Sequence, residues 1–255
     1  VYFIGIDLAW SDRNPSAGAV IKAEVEHGTL IHWKPLGSNE EIIDFISRRA
    51  GNNPALVSID APLIVPNNTG IRPCDRQITR EFRCYHAGTF PANRTRFKNN
   101  VRGEEIVRQL QTLNFSHKPY LRHQCQERQV VEVYPHPATI VLFNLSQILK
   151  YKARPGRSLK QRQSELARLQ KYIAALSKAM PALEVAEDFF RDTTSLSGRE
   201  FKAHEDILDA VVCAYIAYYG WYWGPQGYCV YGEPEKEYKT GYILVPRHAA
   251  FAKPS

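Results

Sequence analysis

Cysteine is scarce in this 255-residue chain and badly spaced for pairing. The five residues, Cys74, Cys84, Cys125, Cys213 and Cys229, are odd in number, scattered, and never fall as Cys-x-x-Cys. That excludes a disulfide framework and predicts reduced thiols in a cytoplasmic protein. Only Cys84 and His86 approach a zinc-ligand spacing, so a thiolate-bound metal is not expected. Long apolar runs are missing too: the stretch 207–223 is interrupted by Asp209 and falls short of the roughly 20 residues that a membrane-crossing helix needs. The first residues, 1–6, already read as a strand, with neither a basic leader nor a small-residue cleavage site, which predicts no signal peptide. Internal repeats and low-complexity tracts are absent, and 44% hydrophobic residues over this length can bury a core without disulfides or a structural metal.

What is present is charge, unevenly distributed. The net charge is +7. Residues 72–128 hold 12 basic and 5 acidic side chains, and residues 150–171 hold 8 basic ones against the single acid Glu165, so the remainder of the chain is net acidic. Two basic blocks around an acidic remainder suit a polyanionic substrate drawn to the basic surfaces and to cations held by the acids. For either block alone, a solvated helix face is the simpler reading.

The apolar patterning predicts three successive strands over 2–9, 17–26 and 29–36, forming a short antiparallel meander. Ser38-Asn-Glu-Glu41 has the form of a capping box, and Ile42, Ile43, Phe45 and Ile46 give the following helix an apolar face. An apolar strand over 55–60 comes next, and a helical crossover into it predicts a mixed sheet whose later strands are parallel. Residues 61–125 alternate little and contain proline-bounded loops with helical patches near 75–83 and 104–113, which reads as an insertion or lid within a single domain spanning 1–255. A fifth strand is expected over 129–134, and helices over 138–145, 158–180 and 202–223. A short strand pair over 228–231 and 242–245 closes the chain.

Three of these apolar strands each carry one isolated acid: Asp7, Asp60 and Glu132. An unpaired buried carboxylate costs several kcal/mol, so each wants a cation, a hydrogen-bonding role or a metal. Asp60 falls at the carboxyl end of its strand, where open sheets put their sites. On the last helix Asp206 and Asp209 are three residues apart and share a face, while Glu205 is expected to point elsewhere. A divalent cation would relieve their repulsion, and oxygen-only ligands select Mg²⁺ or Mn²⁺ over zinc. Each acid also has a plain structural alternative. Asp7 could pair with a buried arginine, Asp60 could cap a turn, Glu132 could accept from loop amides, and Asp206 could favour a helix N-terminus.

One acid in the first strand of a meander, one ending the fourth strand and an Asp-x-x-Asp on the last helix together resemble the ribonuclease H-like nuclease superfamily. Glu205-Asp-Ile-Leu-Asp-Ala-Val-Val-Cys-Ala214 is similar to the final catalytic helix of RuvC-type Holliday-junction resolvases. As a set, Gly5-Ile-Asp-Leu-Ala-Trp10, Ser58-Ile-Asp-Ala-Pro-Leu63, Glu132-Val-Tyr-Pro-His136, Lys150-Tyr-Lys152 and the stretch 241–246 resemble an uncharacterised domain family described as predicted nucleases of ribonuclease H-like fold. The resemblance implies an α/β fold with a mixed five-stranded sheet and helices on both faces. It also implies metal-binding carboxylates at Asp7, Asp60, Asp206 and Asp209, with Glu132 as an added acid. The superfamily's acid on the first helix has no counterpart here on the apolar stripe among Glu40, Glu41 and Asp44.

The expected chemistry is Mg²⁺- or Mn²⁺-dependent phosphodiester hydrolysis with nucleic acid, DNA or RNA, as the partner. Lys150 and Lys152 are candidates for phosphate oxygens, as are Arg72, Arg76 and Arg80, which recur every four residues. His136 and His204 are candidates for moving a proton. Trp10, Trp221, Trp223 and the surrounding tyrosines could stack bases, although core packing is the simpler reading because the cluster over 215–223 continues an apolar helix. Two alternatives stay open: a non-catalytic nucleic-acid-binding or regulatory module on the same fold, and a hydrolase of a small phosphoester.

Overall fold

The computed structural model describes residues 1–11 and 14–247. The last eight residues of the expected single domain lie outside that range. Strands β1 (Tyr2–Asp7), β2 (Ser16–Glu24) and β3 (His27–Leu36) form the antiparallel meander expected from their alternation. Helix α1 (Asn39–Ala50) crosses to β4 (Ala55–Ile59), which lies parallel to β1. The Ser38 hydroxyl caps α1 by accepting the Glu41 amide at 3.2 Å. The Glu41 carboxylate turns to the Gly37 amide and to Lys34 instead of closing the box on Ser38.

Between β4 and its parallel neighbour β6 (Arg128–Glu132) the chain forms α2 (Pro73–Phe82), α3 (Arg102–Thr112) and the two-residue strand β5 (Ser116–His117). After β6 come α4 (Pro135–Leu142), α5 (Leu159–Ala175), β7 (Ala182–Glu184) and the long α6 (Gly198–Trp223). Strands β8 (Tyr228–Gly232) and β9 (Tyr242–Pro246) form a separate antiparallel pair.

The main sheet has the order β5-β6-β4-β1-β2-β3-β7 and so holds seven strands, not the five expected. The five are its centre. The two additions are edge strands of two and three residues, too short to leave an alternating pattern in the sequence. The mixed α/β class stands, with helices on both faces. Side chains of β1 alternate between two cores: Phe3 points to a cluster with Leu208, Val211 and Tyr218 of α6, whereas Ile4 and Ile6 point to α1 and α3 through Ile42, Phe45 and Ile106.

One glycine sets how closely α6 rides on the sheet. A methyl group on Gly5 would overlap the backbone of α6 at the Ala210 carbonyl and the Ala214 amide. Only hydrogen leaves room for this approach. The Ser58 hydroxyl then ties β4 to the same helix by donating to the Cys213 carbonyl at 2.7 Å. All five cysteines are free thiols. Among the described residues, no helix is long and apolar enough to cross a membrane.

Candidate carboxylate site

Asp7 ends β1 and Asp60 directly follows β4, so two parallel neighbours present acids at their carboxyl ends. Asp7 shares the parity of Phe3 and Gly5, and Asp60 that of Leu56 and Ser58, so both lie on the face that meets α6. Both are half-buried, and among the described residues neither carboxylate makes a hydrogen bond or an ion pair. Burial raises the Asp7 carboxyl well above the carboxylate range; Lys152 opposes the shift, while Asp209, Asp206 and Asp60 add to it. Burial likewise pushes Asp60 up to about 7, with Lys152 opposing and Asp209 and Glu132 adding.

Helix α6 supplies Glu205, Asp206 and Asp209, all buried. Asp209 accepts the Tyr151 hydroxyl at 2.6 Å and pairs with the Lys152 ammonium. Asp206 pairs with Lys202 through one oxygen, while the other, Oδ2, has no hydrogen-bond partner. Glu205 does not point elsewhere, as expected from sequence. It meets Lys152 at 3.4 Å, Lys202 at 3.1 Å and Arg162 at 3.6 Å. Residues 205 and 209 are four apart and thus share a face as fully as 206 and 209 do. Tyr151, the middle of the Lys-Tyr-Lys motif, and Arg162 are brought to these acids only by the fold, whereas Lys202 lies on α6 itself, three and four residues before Glu205 and Asp206, where helical spacing alone places it.

Lys152 is the only member of its Lys-Tyr-Lys motif whose ammonium reaches the acids. Burial works against its charge, but Asp209, Asp7 and Glu205 outweigh burial and hold its pKa well above the ordinary lysine value. Lys150 is turned away. Its amide donates to Glu165 at 2.9 Å, and its side chain lines a separate surface cleft with Arg168 and Tyr172. His136 stands half-buried near Lys152 and Asp209, its rings' neighbours being Tyr134 at 5.5 Å and Tyr151 at 6.3 Å. Burial, reinforced by Lys152, lowers its pKa to about 4. His204 belongs to the packing instead: its Nε2 meets Gln170 Oε1 at 2.8 Å, and burial lowers its pKa to about 4.

Glu132 is held apart from these acids. It pairs in register with Ile59, whose side chain faces the α1 and α3 core, so Glu132 leaves its strand on the opposite face from Asp60. Both its oxygens are taken. Arg72 donates to them at 2.7 and 3.0 Å, and the Leu63 amide donates at 2.7 Å. The loop-amide role considered from sequence is therefore realised, with an arginine added. Arg72 in turn pairs with Asp75 at 2.9 and 3.0 Å and is itself buried. The expected Arg72, Arg76 and Arg80 stripe does not form: Arg72 precedes α2 and lies in the interior, and only Arg76 and Arg80 are exposed. Arg102, counted with the basic block, is also buried, bonding to Asn39, the Ser16 hydroxyl and the carbonyls of Ala9 and Gly37.

The donor set suits a hard divalent cation in kind, since every acid offers oxygen, and in charge, since five carboxylates face two lysines and Arg162. The unpartnered Asp206 Oδ2 and the free carboxylates of Asp7 and Asp60 are the available ligands. Among the described residues, however, no three His, Cys, Asp or Glu side chains stand close enough to share one ion. The Lys152 ammonium supplies positive charge among them instead.

A mixed α/β sheet with paired strand-end acids facing a terminal acidic helix defines a protein with a buried carboxylate site. The chain belongs to the family described as "Protein of unknown function (DUF429)", which matches residues 5–236 and so includes every acid named here. Comparison with curated proteins and with solved structures finds no match.

Proposed function

We propose that this chain hydrolyses phosphodiesters with Mg²⁺ or Mn²⁺ on a ribonuclease H-like architecture, nucleic acid being its substrate. One observation carries the reading: Asp7 and Asp60, on one face of adjacent parallel strands, keep free carboxylates opposite Asp206 and Asp209 of α6. A carboxylate left unpaired at such a depth is costly, and a cation is the partner that removes the cost. The strand order β3-β2-β1-β4-β6 at the centre of the sheet supports the architecture.

No three of these acids stand close enough to share an ion as they are, so Asp7 and Asp60 would be its first ligands, with Asp206 and Asp209 of α6 drawn towards it; such an ion would supply an activated water and neutralise charge on the leaving oxygen. The chain's own groups do the rest. Tyr151 fixes the Asp209 carboxylate by donating to it. Lys152 balances the acids at rest and is the amine within reach of a phosphate in the same place. His136 is neutral well above pH 4 and can accept a proton at the edge of the cluster. Glu132 instead holds the loop that begins at Leu63.

The test is Mn²⁺-dependent cleavage of labelled single- and double-stranded DNA and RNA by the wild type and by Asp7→Asn. Cleavage that the variant loses, at unchanged thermal stability, is the expected result. A folded wild type that binds nucleic acid in EDTA and cleaves nothing with Mn²⁺ would identify a non-catalytic module. Activity on nucleotides alone would make it a small-phosphoester hydrolase.

A further inference from the structure

The cleft that ends at Asp60 has a rim of alternating aromatic and guanidinium groups. Trp10 and Phe90 line it together with Pro62, Tyr134 and Asp60, and they are 36% and 52% exposed. The Arg96 guanidinium carbon lies 5.4 Å from the centroids of both rings, and that of Arg154 lies 5.4 Å from the Phe90 ring. Four side chains from three distant stretches of sequence thus form one column, Trp10–Arg96–Phe90–Arg154. Its base is fixed: Trp10 rests on Phe97 at 5.0 Å, and Phe97 packs with Val65, Ala92 and Val101. Trp221, by contrast, is buried.

Large exposed rings beside a site are informative, since aromatic side chains otherwise bury most of their area. Neither Arg96 nor Arg154 has a carboxylate partner among the described residues, so both charges are open to a ligand anion. The cleft itself holds only about 60 Å³, well below the roughly 300–1,000 Å³ of small-molecule sites, so a ring would lie on the exposed rim and not inside it. A flat ring that can slide against Trp10 or Phe90, joined to phosphates that the guanidiniums can hold, matches all of these features.

We infer that the column is a subsite for an unstacked nucleobase and its flanking phosphates, so that the substrate reaching Asp60 is single-stranded nucleic acid. The inference rests on the phosphodiester reading and adds strandedness to it. A duplex keeps its base faces covered and can offer the column only phosphates. A single strand offers both, and stacking on aromatic side chains is indifferent to base identity.

Binding is measured in EDTA by fluorescence anisotropy, so that no hydrolysis contributes. The probe is a labelled oligothymidylate of about 12 nucleotides, a length within single-strand site sizes. It is compared with an abasic sugar-phosphate chain of equal length and with a blunt duplex, and thymidine monophosphate is the competitor. The single strand should bind about tenfold more tightly than either comparison polymer. Trp10→Ala and Phe90→Ala should each weaken the single strand by about tenfold while leaving the abasic chain unchanged. Trp10→Phe and Phe90→Tyr should restore most of the loss. Circular dichroism and melting of each variant confirm the fold.

Equal affinity for the abasic and base-bearing chains, or single-strand binding unaffected by both alanine variants in folded protein, would overturn the inference. Competition by thymidine monophosphate at the oligomer's own concentration would overturn the polymer assignment and leave a nucleotide subsite. Base-dependent binding without Mn²⁺-dependent cleavage would sink the hydrolytic reading and keep the subsite. Cleavage without base-dependent binding would do the reverse.

Discussion

Asp75 and Glu132 share the guanidinium of Arg72, whereas Asp7 and Asp60, which border the same interior, have no hydrogen-bond or ion-pair partner among the described residues. The first group is closed. Arg72 makes four bonds to two carboxylates, a fifth to the Ile64 carbonyl at 3.0 Å, and is raised further in pKa by Glu132 and Asp75 despite its burial. The second group is open: its acids outnumber its cations, and their mutual repulsion adds to burial in raising Asp7 and Asp60. A closed knot holds loops together, here the Leu63 turn, the start of α2 and the end of β6. An open one carries a cost that either a proton or a bound cation can remove. An acid in an apolar strand thus becomes structural or functional according to whether the fold brings it an arginine.

The largest effect should come from opening the closed knot. Arg72→Met leaves Asp75 and Glu132 buried without a counter-charge and should destabilise the fold by about 3–5 kcal/mol in urea unfolding. A loss below about 1 kcal/mol would show that the knot is not closed as described.

Gly5→Ala should come next. The added methyl meets the α6 backbone, so stability should fall by about 1–3 kcal/mol. The helix would move away from β1, weakening cation binding at the open cluster while the Arg72 knot stays intact. Unchanged stability would mean that α6 does not depend on this approach.

Asp60 gives a smaller effect with a definite sign. Its folded pKa is about 7 against an ordinary 3.8, so between those values the native state binds more protons than the unfolded one. That favours the fold below about pH 4, and the advantage is lost as pH rises through about 7. Wild-type stability should therefore fall over this window relative to Asp60→Asn, by less than the roughly 4 kcal/mol that the full shift would give, because solvent screens a half-buried group. Parallel pH profiles for the two proteins would contradict the open state of the cluster.

Much of this was legible in sequence, for physical reasons that also mark the boundary. The meander, the crossover and the last helix follow from alternation, a capping serine and helical spacing, all of which are local. Strand-end acids such as Asp7 and Asp60 stand out because a carboxylate in an apolar strand is expensive wherever the strand lies. The edge strands β5 and β7 were not visible, because two or three residues carry no period. Nor was the face of Glu132, which the register with Ile59 decides, or its partner Arg72, which is 60 residues away. Glu205 was within reach of the same helical arithmetic that paired Asp206 with Asp209. The arginine and aromatic column was least legible, since Trp10 and Arg154 meet the Phe90 and Arg96 loop only once the fold is made.

The most direct test of the open cluster is calorimetric titration of Mn²⁺ into the wild type and into Asp7→Asn/Asp60→Asn, with no substrate present. Binding in the wild type that the double variant loses, while its melting temperature holds or rises, is the predicted result. Absence of binding at millimolar Mn²⁺ in the folded wild type, or binding that survives in the double variant, would contradict the account.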